Sequence, residues 1–385
     1  MHVCVCLVIY EYVSSGKAVV ACLKMTQDIL SLFPLRISDH ILSLEKEHNL
    51  INLIIHFSST PFSDPSSPSE PPVEVKGMSG GGGLLETVYI VDDTELNERL
   101  TFLDYITSNS TLTLTEATVT HLWNTLINPK NPSENQQKKL LKWLGESLNK
   151  QASSSSSSAA SSSFSNGTRL MSVKEQEYVT FAPEVVNYIF NSLLCNSTNL
   201  SYSNLSKDGI NCFLKYLCYV NHQAARLSSS DPTNIIVTDS DPARGGLSGL
   251  ESLWSIYLNS RLEPVRTSAG QALIKLYIRV NYQWSTEDKH RVWTRFLTNC
   301  LSLLEHKVDL SRDAIKIVFN EDCLIVPAVP REGEKTVVGA VDEGKQEVDV
   351  FLLKLRVTKL LSSFIKALDS TVIRPPCFQV GHQGY

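Results

Sequence analysis

The sequence predicts an all-α fold, an armadillo/HEAT-like α-solenoid of stacked helix pairs interrupted by disordered linkers. Three observations lead there. Residues 249–280 read as two amphipathic helices joined by a tight turn. Leu250, Leu253, Trp254, Tyr257 and Leu258 follow the spacing of one apolar stripe, and Val265, Ala269, Ala272, Leu273, Leu276 and Val280 form another. Pro264 sits between them at a helix start, where its missing N–H costs nothing. Two short stripes cannot bury each other completely, so they require further helices, which is the logic of a solenoid repeat. Similar stripes recur along most of the chain. The segments between them lose all periodicity and turn to Ser, Pro and Gly.

Taken in order, residues 1–57 form a partial N-terminal helical segment. Val3 to Tyr10 and Ala18 to Leu23 are apolar, and both runs fall well short of the ~20 residues that span a bilayer. They read as a strand or helix of an N-terminal module, with a cleaved leader ending near residue 23 as the alternative. Ile29, Leu30, Leu32 and Phe33 precede a break at Pro34. Ile37, Ile41, Leu42 and Leu44 then continue from a new helix start at Ser38-Asp39, followed by Leu50, Leu53, Ile54 and Phe57. Residues 58–83 are a Pro/Ser/Gly linker ending in the run Gly80 to Gly83, with too little apolar surface to offset the entropy of ordering it.

Residues 84–150 are a helical repeat module. Leu96, Leu100, Leu103 and Ile106 keep helical spacing behind an N-cap in Asp92-Asp93-Thr94. Residues 111–115 have strand-like alternation, yet Thr115 followed by Glu116 favours a helix start through Trp123, Leu126 and Ile127, ended by Asn128-Pro129. Leu140, Leu141, Trp143, Leu144 and Leu148 define a helix over 136–149. Residues 151–172, with six consecutive serines, are a disordered linker and the strongest divider of the chain.

Residues 173–308 are the second helical repeat module. Pro183 opens a helix bearing Val185, Val186, Tyr188, Ile189, Leu193 and Leu194. The next carries Ile210, Phe213, Leu214, Leu217 and Val220 on one side. A polar loop over 227–246 leads into the 249–280 hairpin. A helix from Thr286 presents Val292, Trp293, Phe296, Leu297, Cys300 and Leu304. Residues 309–349 are irregular with a charged loop. Residues 350–368 are a C-terminal helix with Leu353, Val357, Leu360, Leu361, Phe364 and Leu368 in register, and residues 369–385 are a loose tail.

Composition narrows the function classes. The chain is 42% hydrophobic and 19% charged with a net charge of −5, so no global basic field attracts nucleic acid or an anionic membrane. The nine cysteines are odd in number and mostly lie within apolar patterns, which suits a reducing compartment. The sequons at Asn109, Asn166, Asn196 and Asn204 matter only in the secretory pathway.

Motifs for chemistry are missing from the sequence. Cys4-Val5-Cys6 has no second pair for zinc, and Gly80 to Gly83 continues as Leu-Leu-Glu where a phosphate loop needs Gly-Lys-Ser/Thr. Cys212 and Cys218 read as core, and Asp92-Asp93 and Glu321-Asp322 as cap or turn residues. Lys138-Lys139 and Arg291/Arg295 are isolated basic pairs. Trp254/Tyr257 and Trp293/Phe296 read as core aromatics. Residue reading therefore nominates no catalytic, cofactor-binding or metal site.

Several segments in order do resemble one family. His121-Leu122-Trp123-Asn124-Thr125-Leu126-Ile127, with Lys142-Trp143-Leu144 after it, is similar to one of its helix pairs. The helix over 205–221, with Gly209, Cys212, Phe213, Tyr216, Val220 and Asn221, resembles the next. Gly249-Leu250 through Leu253-Trp254, and Ala272 through Leu276-Tyr277, resemble the hairpin downstream. The family is the large ubiquitin-specific proteases of the fat-facets type, in the helical-repeat region N-terminal to the ubiquitin carboxyl-terminal hydrolase domain. The resemblance covers about residues 95–305.

It implies an armadillo/HEAT-like scaffold in the ubiquitin conjugation pathway, binding protein partners or ubiquitinated substrates, with no nucleic acid, membrane or cofactor. It implies a cytoplasmic location, with the nucleus as a second compartment. It does not imply catalysis, because the family's thioesterase chemistry needs a Gly-Asn-Thr-Cys box and a distant His box. No cysteine here has that context, and Gly381-His382 in the tail echoes the His box without its partner. The alternative is a stand-alone armadillo-type adaptor unrelated to ubiquitin.

Overall fold

The computed structural model describes residues 19–55, 93–127, 134–159, 179–196, 200–238, 246–305, 317–319, 325–327 and 343–373. The linker expected at 58–83, residues 160–172 of the second linker and the tail beyond 373 lie outside these, as do Val3 to Tyr10 and Glu321-Asp322. The architecture among the described residues is all-helical, with α-helices packed as in a helical solenoid. A single two-stranded antiparallel ribbon interrupts it, Ile317–Phe319 (β1) paired with Ile325–Pro327 (β2). Contacts divide the chain into two units. One is Met1–Trp143 with Ser153–Ala182, the other Leu144–Ala152 with Pro183–Tyr385.

In the first unit, Val19–Ser31 (α1) packs on Asp93–Ser108 (α4). Ile37–His48 (α2) and Leu50–Ile55 (α3) meet at Asn49, which adopts a left-handed conformation with φ 52° and donates its N–H to Glu45 O at 2.8 Å. The second N-terminal apolar run is thus the first turns of α1, with Val19, Cys22 and Leu23 buried. The stripe expected on α4 is buried as read: Leu96, Leu100, Leu103 and Ile106 are each at most 4% exposed. Arg99 is buried beside them. Its guanidinium pairs with Glu95 at 2.6 Å and donates to Ile54 O at 2.5 Å, so the cation caps the carbonyl end of α3.

Glu116–Leu126 (α5) begins where Thr115 accepts from Thr118 N at 3.3 Å, the expected helix start. The strand-like alternation before it survives as one parallel bridge between Leu114 and Phe181. Glu134–Ala159 (α6) is longer than the helix expected over 136–149. It continues nine residues into the stretch read as the second linker, which is the first correction. Extending an existing helix costs far less than nucleating one, and neither Ala nor Ser carries the penalty of Gly or Pro. The division between units also falls elsewhere than that linker. Phe181 returns to the first unit, edge-on to Trp143 at 6.0 Å.

In the second unit, Pro183–Tyr188 (α7) passes into a π-helical segment, Ile189–Leu194, closed by Cys195 N donating to Phe190 O at 2.9 Å. The wider turn buries Ile189, Phe190, Leu193 and Leu194 together. Lys207–Gln223 (α8) starts at Ser206, whose hydroxyl accepts from Gly209 N at 3.1 Å. Eleven of its residues are buried, so it is enclosed on nearly every side rather than along one stripe. Gly145 explains part of that enclosure: a Cβ there would stand 3.3 Å from Cys212 Cα, so α6 and α8 run backbone against backbone.

The described part of the loop expected over 227–246, residues 227–238, is more structured than its composition suggests. Leu227, Ile235 and Val237 are buried, and Val237 bridges both Leu227 and Val280. Asn221, at the end of α8, holds the far side of that loop. Its amide donates to Ser248 O at 3.0 Å and accepts from Ser248 N at 2.9 Å.

Leu250–Asn259 (α9) and Glu263–Ile278 (α10) are the hairpin read from the sequence, with Pro264 in the first turn of α10. Thr286–Glu305 (α11) and Glu343–Ile373 (α12) pack around them, and the β ribbon lies against α9 and α11. Two expectations are corrected here. Helix α12 starts at Glu343 and runs to Ile373, absorbing part of the region read as charged loop and part of the tail. On α11 the buried seam is Phe296, Asn299, Cys300 and Leu303, while Val292, Trp293, Leu297 and Leu304 are half-buried. The seam rotates because Phe296 enters an aromatic cluster. Its ring lies 5.6 Å from Trp254, 4.9 Å from Tyr277 and 4.1 Å from Phe364, joining α9, α10, α11 and α12.

Substituting Phe296→Ala should therefore cost about 3–5 kcal/mol, read as a fall in the denaturant midpoint of the far-ultraviolet circular dichroism signal. Gly249 has φ 80°, and an added Cβ would sit 2.3 Å from the Phe190 ring. Gly249→Ala should destabilise by more than about 2 kcal/mol in the same assay. A smaller loss would show that the turn relaxes without strain.

Candidate functional site

The cysteines of this chain are placed as packing groups. Cys212, Cys218 and Cys300 are at most 1% exposed, and Cys195 is half-buried behind the π-helical turn. Burial pushes each of these four thiols up to about 12. Burial also raises Cys22. A nucleophilic cysteine needs the opposite shift, from a helix N-terminus or a cationic neighbour. Cys4, Cys6, Cys323 and Cys377 lie outside the described residues. Among the described residues no cluster of His, Cys, Asp and Glu could hold a metal ion.

The other residues singled out in the sequence are mostly absorbed by structure. Asp93 starts α4 and meets Lys139 Nζ at 3.2 Å, which accounts for one member of the Lys138-Lys139 pair. Arg291 pairs with Asp288 at 3.3 Å one turn away. Trp254 is fully buried, and Trp143 donates its indole N–H to Asp104 at 3.0 Å. Tyr277 is buried against the Phe296 ring, and burial pushes its phenol up to about 12.

Tyr257 differs from these. Its ring is buried, yet its hydroxyl reaches across and donates to Arg356 O of α12 at 2.7 Å, with burial holding the phenol at about 12. The Arg356 guanidinium returns a hydrogen bond to Leu258 O of α9. Both contacts need α12 to lie close to the hairpin. Gly270 permits it: a Cβ there would be 3.0 Å from the Tyr257 ring and 3.4 Å from Leu360. Gly270 thus serves close helix approach.

Beside this contact, α10 and α12 line a groove of about 670 Å³. One wall is formed by Glu263, Arg266, Thr267, Gln271 and Ile274, the other by Leu352, Leu355, Arg356, Lys359 and Ser363, over a floor of Tyr257, Gly270 and Leu360. Arg266 is fixed, donating to Ser260 O at 2.8 Å and Arg261 O at 2.9 Å and pairing with Glu263. It thereby covers the open carbonyl end of α9. Arg261 and Lys359 are exposed at the rim.

The sequence reading nominated none of these lining residues as a site. A signal was present: residues 351–368 contain Lys354, Arg356, Lys359 and Lys366 with no acid among them, in a chain of net charge −5. Among the described residues no helix is long and apolar enough to cross a membrane. Comparison of the chain with protein-family models and with curated proteins finds no match.

The raised thiols and phenols make a prediction about pH. Their folded pKa values lie above those of the unfolded chain, so their contribution to stability is complete at neutral pH. It is lost as pH climbs from about 8.5, where unfolded thiols titrate, towards 12. The urea midpoint should fall steadily across that range. Pulsed alkylation at neutral pH, read by mass spectrometry, should spare Cys212, Cys218 and Cys300 until denaturant is added. Rapid native labelling of any of them would contradict the assigned burial.

Proposed function

We propose that this chain is a non-catalytic helical scaffold segment of a ubiquitin-specific protease, acting in the cytoplasm to hold substrates or partner proteins of the ubiquitin pathway. The observation that carries the scaffold part is the groove between α10 and α12, an open, charge-lined surface on a helical stack. Stacked helix pairs offer extended surfaces of this kind, and their binding specificity lies in exposed side chains rather than in a reactive centre. The pathway part is supported by the ordered resemblance of the segments around Trp123, Trp143, Phe213, Trp254 and Tyr277. Each of those residues is buried, so the shared pattern is one of helix packing.

The non-catalytic part is supported by the thiols. Cys212 and Cys218, the cysteines closest to the resemblance motifs, are shielded from solvent and disfavoured as thiolates.

The full chain should leave ubiquitin-rhodamine uncleaved over hours at micromolar concentration, while affinity capture from cytosol recovers ubiquitin-system proteins. Turnover abolished by a single cysteine substitution would refute the non-catalytic assignment. Capture that reproducibly lacks ubiquitin-system proteins would favour the adaptor unrelated to ubiquitin.

A further inference from the structure

The groove between α10 and α12 has a shape and charge that define what fits it. Its α10 wall is set by positions 263, 266, 267, 270, 271 and 274, and its α12 wall by 352, 355, 356, 359, 360 and 363. Both sets run i, i+3, i+4, i+7, i+8, i+11, so each helix turns one continuous face to the groove over three turns, about 16 Å. On α12 this face is distinct from the core-facing one, which carries Leu353, Val357, Leu360 and Phe364, and only Leu360 is shared.

The lining combines two chemistries. Leu352 and Leu355 are each 41% exposed, and with Ile274 they offer apolar contact above the Tyr257 floor. Around them stand Arg261, Arg266, Arg356 and Lys359, against a single carboxylate, Glu263, which Arg266 already engages. The groove is therefore a basic site on a chain whose net charge is −5. A surface that is concave, apolar at its centre and cationic at its rim complements an amphipathic helix with an apolar stripe and acidic flanks. Its apolar residues line a groove shared by two helices, whereas insertion into a lipid surface uses the apolar face of a single helix.

We propose that this groove is the docking site for an acidic amphipathic helical segment, about three turns long, of a partner protein. Apolar side chains of that segment seat on Leu352, Leu355 and Ile274, and its carboxylates meet Arg261 and Lys359, whose exposed side chains make no hydrogen bond or ion pair among the described residues. Arg266 and Arg356 are held by backbone carbonyls and present a fixed positive floor edge. The proposal deepens the scaffold reading and rests on it.

The test uses the full chain and a fluorescein-labelled synthetic helix of about four turns, with Leu on one face and Glu on its flanks, read by fluorescence polarisation. Saturable binding is expected. It should weaken at least about tenfold in the double variant Arg261→Glu/Lys359→Glu, and comparably in Leu352→Ser/Leu355→Ser. It should also weaken as salt rises from about 0.05 to about 0.5 M. Circular dichroism of the variants should match the parent, since all four positions are exposed.

Equal binding of a peptide with Lys in place of Glu would overturn the proposal. So would unchanged affinity in either folded variant, or binding of phosphatidylserine vesicles in the absence of peptide binding. No peptide binding, with ubiquitin-system proteins still captured by the same preparation, removes the groove and leaves the scaffold reading intact. Peptide binding without such capture supports the groove and counts against the ubiquitin pathway.

Discussion

Phe296 holds the second unit together. Its ring contacts one aromatic residue from each of three other helices, and the closest of those contacts, 4.1 Å to Phe364, fixes α12 to the stack. Helix α12 depends on it more than the others do. Helices α9 and α10 are tied by a short turn, but α12 follows a long connection and is anchored by packing. Once Phe364 is seated, Leu353, Val357 and Leu360 follow at helical spacing. Tyr257 and Arg356 then close the exchange of backbone hydrogen bonds between α9 and α12. The groove is a consequence of this arrangement, since its second wall exists only where the aromatic cluster puts it.

Much of that architecture was legible in the sequence, for a physical reason. A helix that must bury one face repeats its apolar residues every third and fourth position. Leu96 to Ile106, Ile210 to Val220 and Leu253 to Leu258 were readable without any structure. Local signals marked several starts: Thr115 ahead of Glu116, and Pro264 in the first turn. What escaped reading depended on partners far away in the chain. The rotation of α11 that buries Asn299 follows from Phe296 entering the aromatic cluster, and no local pattern announces that. Arg99 looks like a solvent-facing cation until the carbonyl end of α3 is brought to it. The buried loop residues Leu227, Ile235 and Val237 lie in a polar context whose composition outweighs them. The extension of α6 through its serines reflects the opposite limit: propagation is so cheap that composition alone cannot place the end of a helix.

The chemistry was legible in a weaker sense. Reading Cys212 and Cys218 as small core hydrophobes rested on their place in an apolar pattern, and both sit buried on α8 with their thiols held protonated. The groove was not found because its residues come from helices separated by nearly a hundred positions, and because each wall is unremarkable alone. Only the acid-free run over 351–368 pointed to it, and a charge run on a helix is usually no more than a solvated face.

Under the proposed docking, Gly270 would serve both structure and recognition. Without a Cβ it leaves room for both the Tyr257 ring and Leu360 at the base of the groove. An added Cβ would press on the Tyr257 ring, 3.0 Å away, before Leu360 of α12 at 3.4 Å, so a larger residue would disturb the floor of the groove first. The rim charges Arg261 and Lys359 would be untouched, and an acidic partner would still be attracted, because long-range attraction depends on net charge rather than on shape. What would fail is retention, which depends on apolar contact within the groove. On the proposed docking a division of labour follows: Gly270 at the helix crossing would set the shape that decides how long a partner stays, and the exposed cations at the rim would set how often it arrives.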